Sequence, residues 1–428
     1  MKETKRRFPS FAFYDRAGIE DYLEKQAEKG WLLEKIGWYG WQFRRIRPQK
    51  LRFSVTYFPQ ADFYDPEPGE GERTFQEFCA HSGWTLAASS AQLQIFYTDR
   101  ADAVPIETDP VMEVEKIHQA MKKSSLRSDW IMVVCALLQL AVQGVAFCNR
   151  FIRFLSDPML LFFDVLWAVI LLTYIGRIAG YYSWRRKAKA AAEEGLFLKP
   201  KTFAKLETAV YWMILLGMLA VLAAQKAQGR GMGIVLGMIP TFLVILVVVG
   251  LREKLRREGY DANTNKIATI GACVLLTVLV TAFVTPLVTN REQPQPEDPM
   301  VPLSLAEFQQ GDFVTLTMYD QASPLLSYLD VFQGVNGAEE PRLEYELVTV
   351  KAAFLYDMSL KAMLDPTVPG VYQPTDPAPW GAKQAWQFYR NGEPRAWYLL
   401  AYEEYILELI PSWEMTVEEK SLVGSHFS

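Results

Sequence analysis

The alternation of apolar and polar positions divides the chain into three parts. Between Trp130 and Val288 five apolar runs, 130–148, 158–175, 209–224, 232–249 and 267–288, are separated by short charged connections. Each is close to the roughly 17 to 25 residues that a helix needs to cross a hydrocarbon core, so this stretch predicts a five-helix transmembrane bundle. On the N-terminal side the period is that of surface helices and half-buried strands. Asp15 is a candidate cap for a helix with Ile19, Tyr22, Leu23 and Ala27 on one face, ended by Gly30. The same grammar returns at 74–81, with Phe75, Phe78 and Cys79 as the stripe and Gly83 as the stop. A tryptophan follows each glycine, Trp31 and Trp84, and strand-like segments follow each tryptophan: 31–36, 41–47 and 51–58 in the first copy, 84–88 and 93–98 in the second. Residues 1–108 are therefore expected to be an α+β repeat domain, two helices over an antiparallel sheet. Residues 109–129 read as a juxtamembrane helix, capped by Asp109 with Pro110 at its first position.

Beyond the apolar runs, residues 289–300 contain Gln293-Pro294-Gln295-Pro296 and read as an extended linker. A second α+β domain is expected over 301–428. Its predicted elements are a strand at 342–350, a helix at 352–364 with Phe354, Leu355, Met358 and Met363 on its apolar face, a proline-rich loop at 368–379, and strands at 384–389, 396–401 and 406–410. Asn391-Gly392 signals a hairpin, and Glu393-Pro394 after it suggests a loop longer than two residues. Thr416 and Glu419 have capping-box spacing for a terminal helix. The fold class expected is thus a multi-domain membrane protein: an α+β cytoplasmic domain, a five-helix transmembrane bundle and an α+β extracytoplasmic domain.

Several N-terminal segments resemble a known family. The run Phe13-Tyr14-Asp15, the helix end Glu28-Lys29-Gly30-Trp31-Leu32-Leu33, the strand Trp41-Gln42-Phe43-Arg44 and the later Phe78-Cys79-Ala80-His81-Ser82-Gly83-Trp84 are similar to the domain-of-unknown-function family 2812 (DUF 2812), over roughly residues 8–100. The resemblance implies a bacterial protein in which membrane spans often follow the domain. It also implies a regulatory setting, because members are often encoded beside PadR-like transcriptional regulators. It supplies no catalytic residues.

Charge sets the expected orientation. Lys and Arg in short connections stay cytoplasmic, and here they concentrate before the first run (Lys122, Lys123, Arg127), at 185–205 and at 252–266. The N-terminus is then expected in the cytoplasm and the C-terminus across the inner membrane. Residues 1–129 hold 19 basic and 20 acidic residues, whereas 289–428 hold 8 and 21. An outer domain so acidic is unsuited to anionic lipid or nucleic acid, and would attract a cationic ligand. Met1 to Ser10 is basic and leads into a mixed segment, so the first span is the expected targeting segment. Of the cysteines, Cys79, Cys135, Cys148 and Cys273, none lies in 289–428, so that domain is expected to fold without disulfides.

Candidate chemistry is sparse. Arg44, Arg45, Arg47, Lys50 and Arg52 form a basic cluster on a proposed hairpin, a candidate surface for a protein partner or lipid although a solvated hairpin explains it as well. Trp31, Trp38, Trp41 and Trp84 are expected to fill a core rather than to stack a ligand. Within the apolar runs Asp164 is the clearest ionisable residue, and Thr277, Thr281 and Thr285 recur every fourth position as a candidate polar seam, or as hydroxyls bonded to their own helix. Glu115-x-x-His118 is half of a di-iron signature without its second copy. The adjacent pairs Glu339-Glu340 and Glu403-Glu404 read as solvated loops. Hydrolase, metalloprotease and P-loop motifs are absent, so no enzyme activity, metal or cofactor is expected. The functional expectation is a regulatory or sensory membrane protein with an outer sensing domain and a cytoplasmic domain binding a protein partner, possible partners being a PadR-like regulator or a transporter subunit. The alternative is a transport accessory or channel-like protein.

Overall fold

The structure, a computed structural model, describes residues 3–37, 40–66, 68–200, 204–227, 231–289, 301–335, 340–366 and 368–427. Side chains are described for these except at 204–205, 221–222, 224–227, 231–242, 281 and 283–289. The chain forms two compact units, Met1–Ala136 with Val169–Asn290 and Leu137–Ala168 with Arg291–Ser428.

The first unit opens with β1 (Thr4–Arg7), α1 (Arg16–Glu28), β2 (Trp31–Gly37), β3 (Gly40–Arg45), β4 (Arg52–Tyr57), α2 (Glu70–His81), β5 (Thr85–Ser90), β6 (Leu93–Thr98) and α3 (Pro110–Lys123). Asp15 caps α1 by accepting the Gly18 N–H at 3.0 Å. Gly30 ends it at φ +76°, where a Cβ would lie 2.8 Å from the Ile46 carbonyl oxygen, so a side chain is excluded twice over. Gly83 repeats the left-handed stop at φ +87°. The strands form two antiparallel three-stranded sheets, β1-β3-β2 and β4-β6-β5. The repeat in the sequence therefore does not map onto the sheets: β4, the last strand of the first copy, pairs with β6 of the second, Val55 opposite Ile95. The first sheet is completed instead by β1, a polar Thr-Lys-Arg-Arg segment with no apolar alternation to announce it. Leu23, Ala27, Phe43, Val55 and Ile95 are fully buried between helices and strands, and Ile117 and Ala120 of α3 join the same core. α3 is thus part of the domain.

One largely enclosed ionic group ties α1, α3 and β4 together. Arg16 binds Glu20 at 2.8 Å and Glu113 of α3, while Glu20 accepts the Val55 N–H at 2.8 Å. Burial pushes the Glu113 carboxyl up to about 7 against the pull of Arg16. Removing one member of such a group would strand the others without compensation.

The chain continues through α4 (Ser125–Asn149), α5 (Phe151–Ser156), α6 (Pro158–Glu193), α7 (Ala204–Ala227), α8 (Gly231–Arg257) and α9 (Ala262–Thr289). Within the first unit, Tyr181 and Trp184 of α6 pack on Tyr14, with ring centroids 5.2 and 4.9 Å away. The turn between α8 and α9 holds the 58–66 loop: Asn265 Nδ2 donates to the Tyr64 carbonyl and Arg256 Nε to the Asp65 carbonyl, each at 3.0 Å.

The five-helix transmembrane bundle is corrected here. Among the described residues three helical stretches are long and apolar enough to cross a membrane: Ser125–Asn149, Pro158–Glu193 and Ala262–Val280. The run expected at 209–224 falls on α7, where the apolar stretch with described side chains is Leu206–Ala220. Most of the run at 232–249 falls on residues whose side chains lie outside the description. The three long helices expose large apolar side chains such as Leu138, Leu172 and Val274, as a lipid-facing surface does.

The second unit is built on a seven-stranded antiparallel sheet. In chain order its elements are β7 (Val314–Ala322), β8 (Leu326–Gly334), β9 (Arg342–Val350), α10 (Tyr356–Met363), β10 (Val371–Thr375), β11 (Gln384–Arg390), β12 (Glu393–Ala401), β13 (Tyr405–Pro411) and α11 (Val417–Phe427), and the strands run in the order β10-β11-β12-β13-β9-β8-β7. The expected strand at 342–350 is β9. The proline-rich loop instead contains β10, whose Pro374 lies opposite Trp386 on an edge strand, where a missing N–H is tolerated. The hairpin loop is two residues long: Arg390 pairs with Glu393, and Asn391 and Gly392 both take positive φ, +55° and +83°. On the expected 352–364 helix, Leu355 and Met363 are buried but Phe354 and Met358 are exposed, because Ala353–Leu355 is a separate 3-10 turn that shifts the face. The capping box of α11 is present, Thr416 N–H to Glu419 at 2.7 Å and Glu419 N–H to Thr416 at 3.2 Å.

The two faces of this sheet differ. One carries Leu343, Tyr345, Leu400, Leu407 and Leu409 under α11 and the 303–308 segment. The other carries Tyr328, Val348, Leu399 and Ile406, covered by Phe154 and Leu155 of α5 and by Leu355 and Met363. Gly424 of α11 sits against the backbone of the turn Ala378–Trp380, where a Cβ would meet the Trp380 carbonyl oxygen at 2.3 Å. Gly424→Ala should therefore cost about 1–3 kcal/mol as an overpacking change, read as a fall of several degrees in melting temperature of the detergent-solubilised full chain. An unchanged melting temperature would refute this seating of α11.

Candidate functional site

The positions singled out by sequence land in ordinary surroundings. Arg44, Arg45, Arg47, Lys50 and Arg52 are all exposed. Two of them are engaged within the chain: Arg45 lies 4.9 Å over the Trp31 ring, and Arg52 donates to the carbonyl of Ala101 at 2.8 Å. Trp84 is buried and Trp31 and Trp41 pack at the core edge, while Trp38 lies outside the described residues. His118 Nδ1 and the Tyr181 hydroxyl are 2.9 Å apart, and Glu115 pairs with Arg185 at 3.7 Å, so the half-motif fastens α3 to α6. Thr277 donates to the Cys273 carbonyl of its own helix at 2.7 Å. The side chains of Thr281 and Thr285 lie outside the description. Asp164 is half-buried on α6, its Oδ1 enclosed without a hydrogen-bond partner among the described residues. Glu339 is outside the described residues; Glu340, Glu403 and Glu404 are exposed.

A different constellation emerges in the second unit. Strand register places Asp330 of β8 opposite Glu346 of β9, and Glu346 opposite Glu408 of β13. Three carboxylates therefore stand in one transverse row on one face of the sheet, with Glu344 two residues along β9 on the same face. Like charges directly opposite across strands repel. Each end of the row has its own compensation. At one end Arg153 of α5 reaches the Tyr328 hydroxyl at 2.9 Å, Asp330 at 3.3 Å and Glu346 at 3.8 Å. At the other, Glu408 accepts the Trp397 indole N–H at 3.0 Å and the Tyr372 hydroxyl.

The residues that hold Arg153 in place come from the apolar half of the same face. α5 is seated through Phe154 and Leu155, and the Ser323 hydroxyl donates to the Leu155 carbonyl at 2.6 Å. Gln321 of β7 donates to Asp157, the residue after α5, at 3.2 Å. Arg153 thus stands on the short helix that joins two long apolar ones, α4 and α6.

Electrostatically the row is overloaded with negative charge. Burial, then the charge of Glu408, pushes the Glu346 carboxyl up to about 7, and burial raises Asp330, Glu344 and Glu408 as well. Among the described residues no group of carboxylates, histidines or cysteines has metal-binding geometry. The row is suited to taking up a proton or an organic cation. The period-2 spacing of Glu344 and Glu346 was the available signal for it.

A raised carboxyl has a definite sign. The native state opposes the charged form of Glu346, so its cost is absent below its ordinary value of about 4.3 and complete only above about 7. Stability of the second unit should therefore fall as pH rises from about 4.5 to about 7. Glu346→Gln should flatten that slope and raise the melting temperature of the full chain above pH 7 by a few degrees; identical pH profiles for variant and wild type would contradict the assignment.

No curated protein and no solved structure matches the chain. Residues 15–128, which run from the cap of α1 through α3 into the start of α4, match the model of the family described as Protein of unknown function (DUF2812), and over that segment the resemblance carried by the sequence holds.

Proposed function

We propose that the protein is a bacterial inner-membrane sensor or regulator, in which 301–428 responds to a condition outside the membrane and the DUF2812 segment binds a soluble protein partner in the cytoplasm. The observation that carries this reading is Arg153: one guanidinium, on the helix joining two candidate spans, neutralises part of a carboxylate row on the outer sheet. Any cation or proton that occupies the row weakens its hold on Arg153 and so loads the α4–α6 connection directly. If the three candidate spans among the described residues are the crossings, the two ends of the chain would fall on opposite sides, with the Lys/Arg-rich connections at 185–205 and 252–266 on the side of the N-terminal domain. Near-neutral charge in 1–129 supports a protein partner rather than nucleic acid, and the PadR-like setting implied by the family makes a transcriptional regulator the first candidate.

The transport-accessory reading rests on the unpartnered Asp164 oxygen; Thr277, bonded to its own helix, adds nothing to it. For the sensory reading, Arg153→Gln in the full chain should shift the set of transcripts that respond to loss of the whole protein. Transcripts indistinguishable from wild type, with the variant present at normal level in the membrane, would remove the sensing role.

A further inference from the structure

The first unit contains a cavity of about 450 Å³ that the outer acid row does not touch. Its floor is the segment 10–14 before α1, including Phe11 and Phe13, and its walls are α4, α6 and α7. Leu172, Leu206 and Val210 make it largely apolar. Three charged side chains face it: Asp129 of α4, Arg177 of α6 and Glu207 of α7, with Arg177 3.4 Å from Asp129 and 3.8 Å from Glu207. Arg177 bridges the two carboxylates through its two terminal nitrogens, so the lining carries one more carboxylate than it has cations.

Two glycines make the room. Gly176 and Gly180 lie one turn apart on α6, both line the cavity, and a Cβ at either would meet nothing within 4 Å. The helix therefore needs neither glycine for its own packing against a neighbour. Tyr14 and Tyr211 complete the lining. A volume in the range of small-molecule sites, largely apolar walls and two carboxylates sharing one guanidinium describe a compact lipophilic cation.

We infer that the cavity bounded by Gly176, Gly180, Arg177 and Glu207 binds an organic cation with an apolar body, a quaternary ammonium, phosphonium or hydrophobic amine. Binding needs no bond making or breaking, and it stands independently of the sensory reading of the outer domain. An anion of the same shape would meet Glu207 and Asp129 with a guanidinium already paired, and would be rejected.

The test uses the full chain in nanodiscs of zwitterionic lipid, with empty nanodiscs subtracted, and a probe pair matched in shape and opposite in charge: tetraphenylphosphonium and tetraphenylborate. Saturable binding of the phosphonium at least tenfold tighter than that of the borate is expected. Gly176→Leu and Gly180→Leu, which fill the cavity where space is open, should each weaken it at least tenfold with the melting temperature unchanged. Glu207→Gln should narrow the preference for the cation without abolishing binding. Borate binding as tight as phosphonium, or phosphonium binding unchanged in a folded Gly176→Leu or Gly180→Leu protein, would overturn the inference. Should one leucine variant fail to fold, the other and Glu207→Gln still decide it.

Discussion

Carboxylates placed side by side on neighbouring strands repel unless something is brought to them, and that constraint organises the second unit. Asp330, Glu346 and Glu408 are brought into one row by the register of β8, β9 and β13, so the sheet cannot form without creating the conflict. Tyr372 and Trp397 relieve it at one end from within the sheet. The other end depends on Arg153, which comes from a helix outside the sheet, and the apolar packing of Phe154 and Leu155 delivers it. The sheet of the second unit is thereby fastened to the connection between two long apolar helices.

A contrasting solution appears in the first unit. There Arg16 is enclosed with Glu20 and Glu113, and the group is fixed by a backbone hydrogen bond from β4 and by a core shared among α1, α3 and the strands. Such a largely enclosed, fully engaged group locks elements together, whereas the half-exposed Arg153 is placed where solvent and small ions reach its partners.

Much of the fold was legible because local chemistry and global structure agree. Gly30 and Gly83 stop helices where the left-handed conformation is needed, Asp15 and Asp109 cap, and the strand at 342–350 largely keeps a period of two. What was missed lacked a local signal. β1 is polar throughout, β10 contains proline, and the pairing of β4 with β6 is a long-range choice that alternation does not encode. Of the five apolar runs, those at 130–148, 158–175 and 267–288 fall on the helical stretches that are long and apolar enough to cross a membrane among the described residues. The acid row was half-legible: Glu344 and Glu346 announce a face, but only register brings Asp330 and Glu408 beside them. Arg153, in a connection between apolar runs, read as a boundary charge.

The most direct measurement is hydrogen exchange on the full chain in nanodiscs, comparing wild type with Arg153→Gln. If the outer row acts on the rest of the protein through α5, protection should change within 301–427 and also in 110–128, the segment that joins the N-terminal core to α4. Changes confined to 137–168 and 301–427 would contradict that account and leave Arg153 as a local anchor.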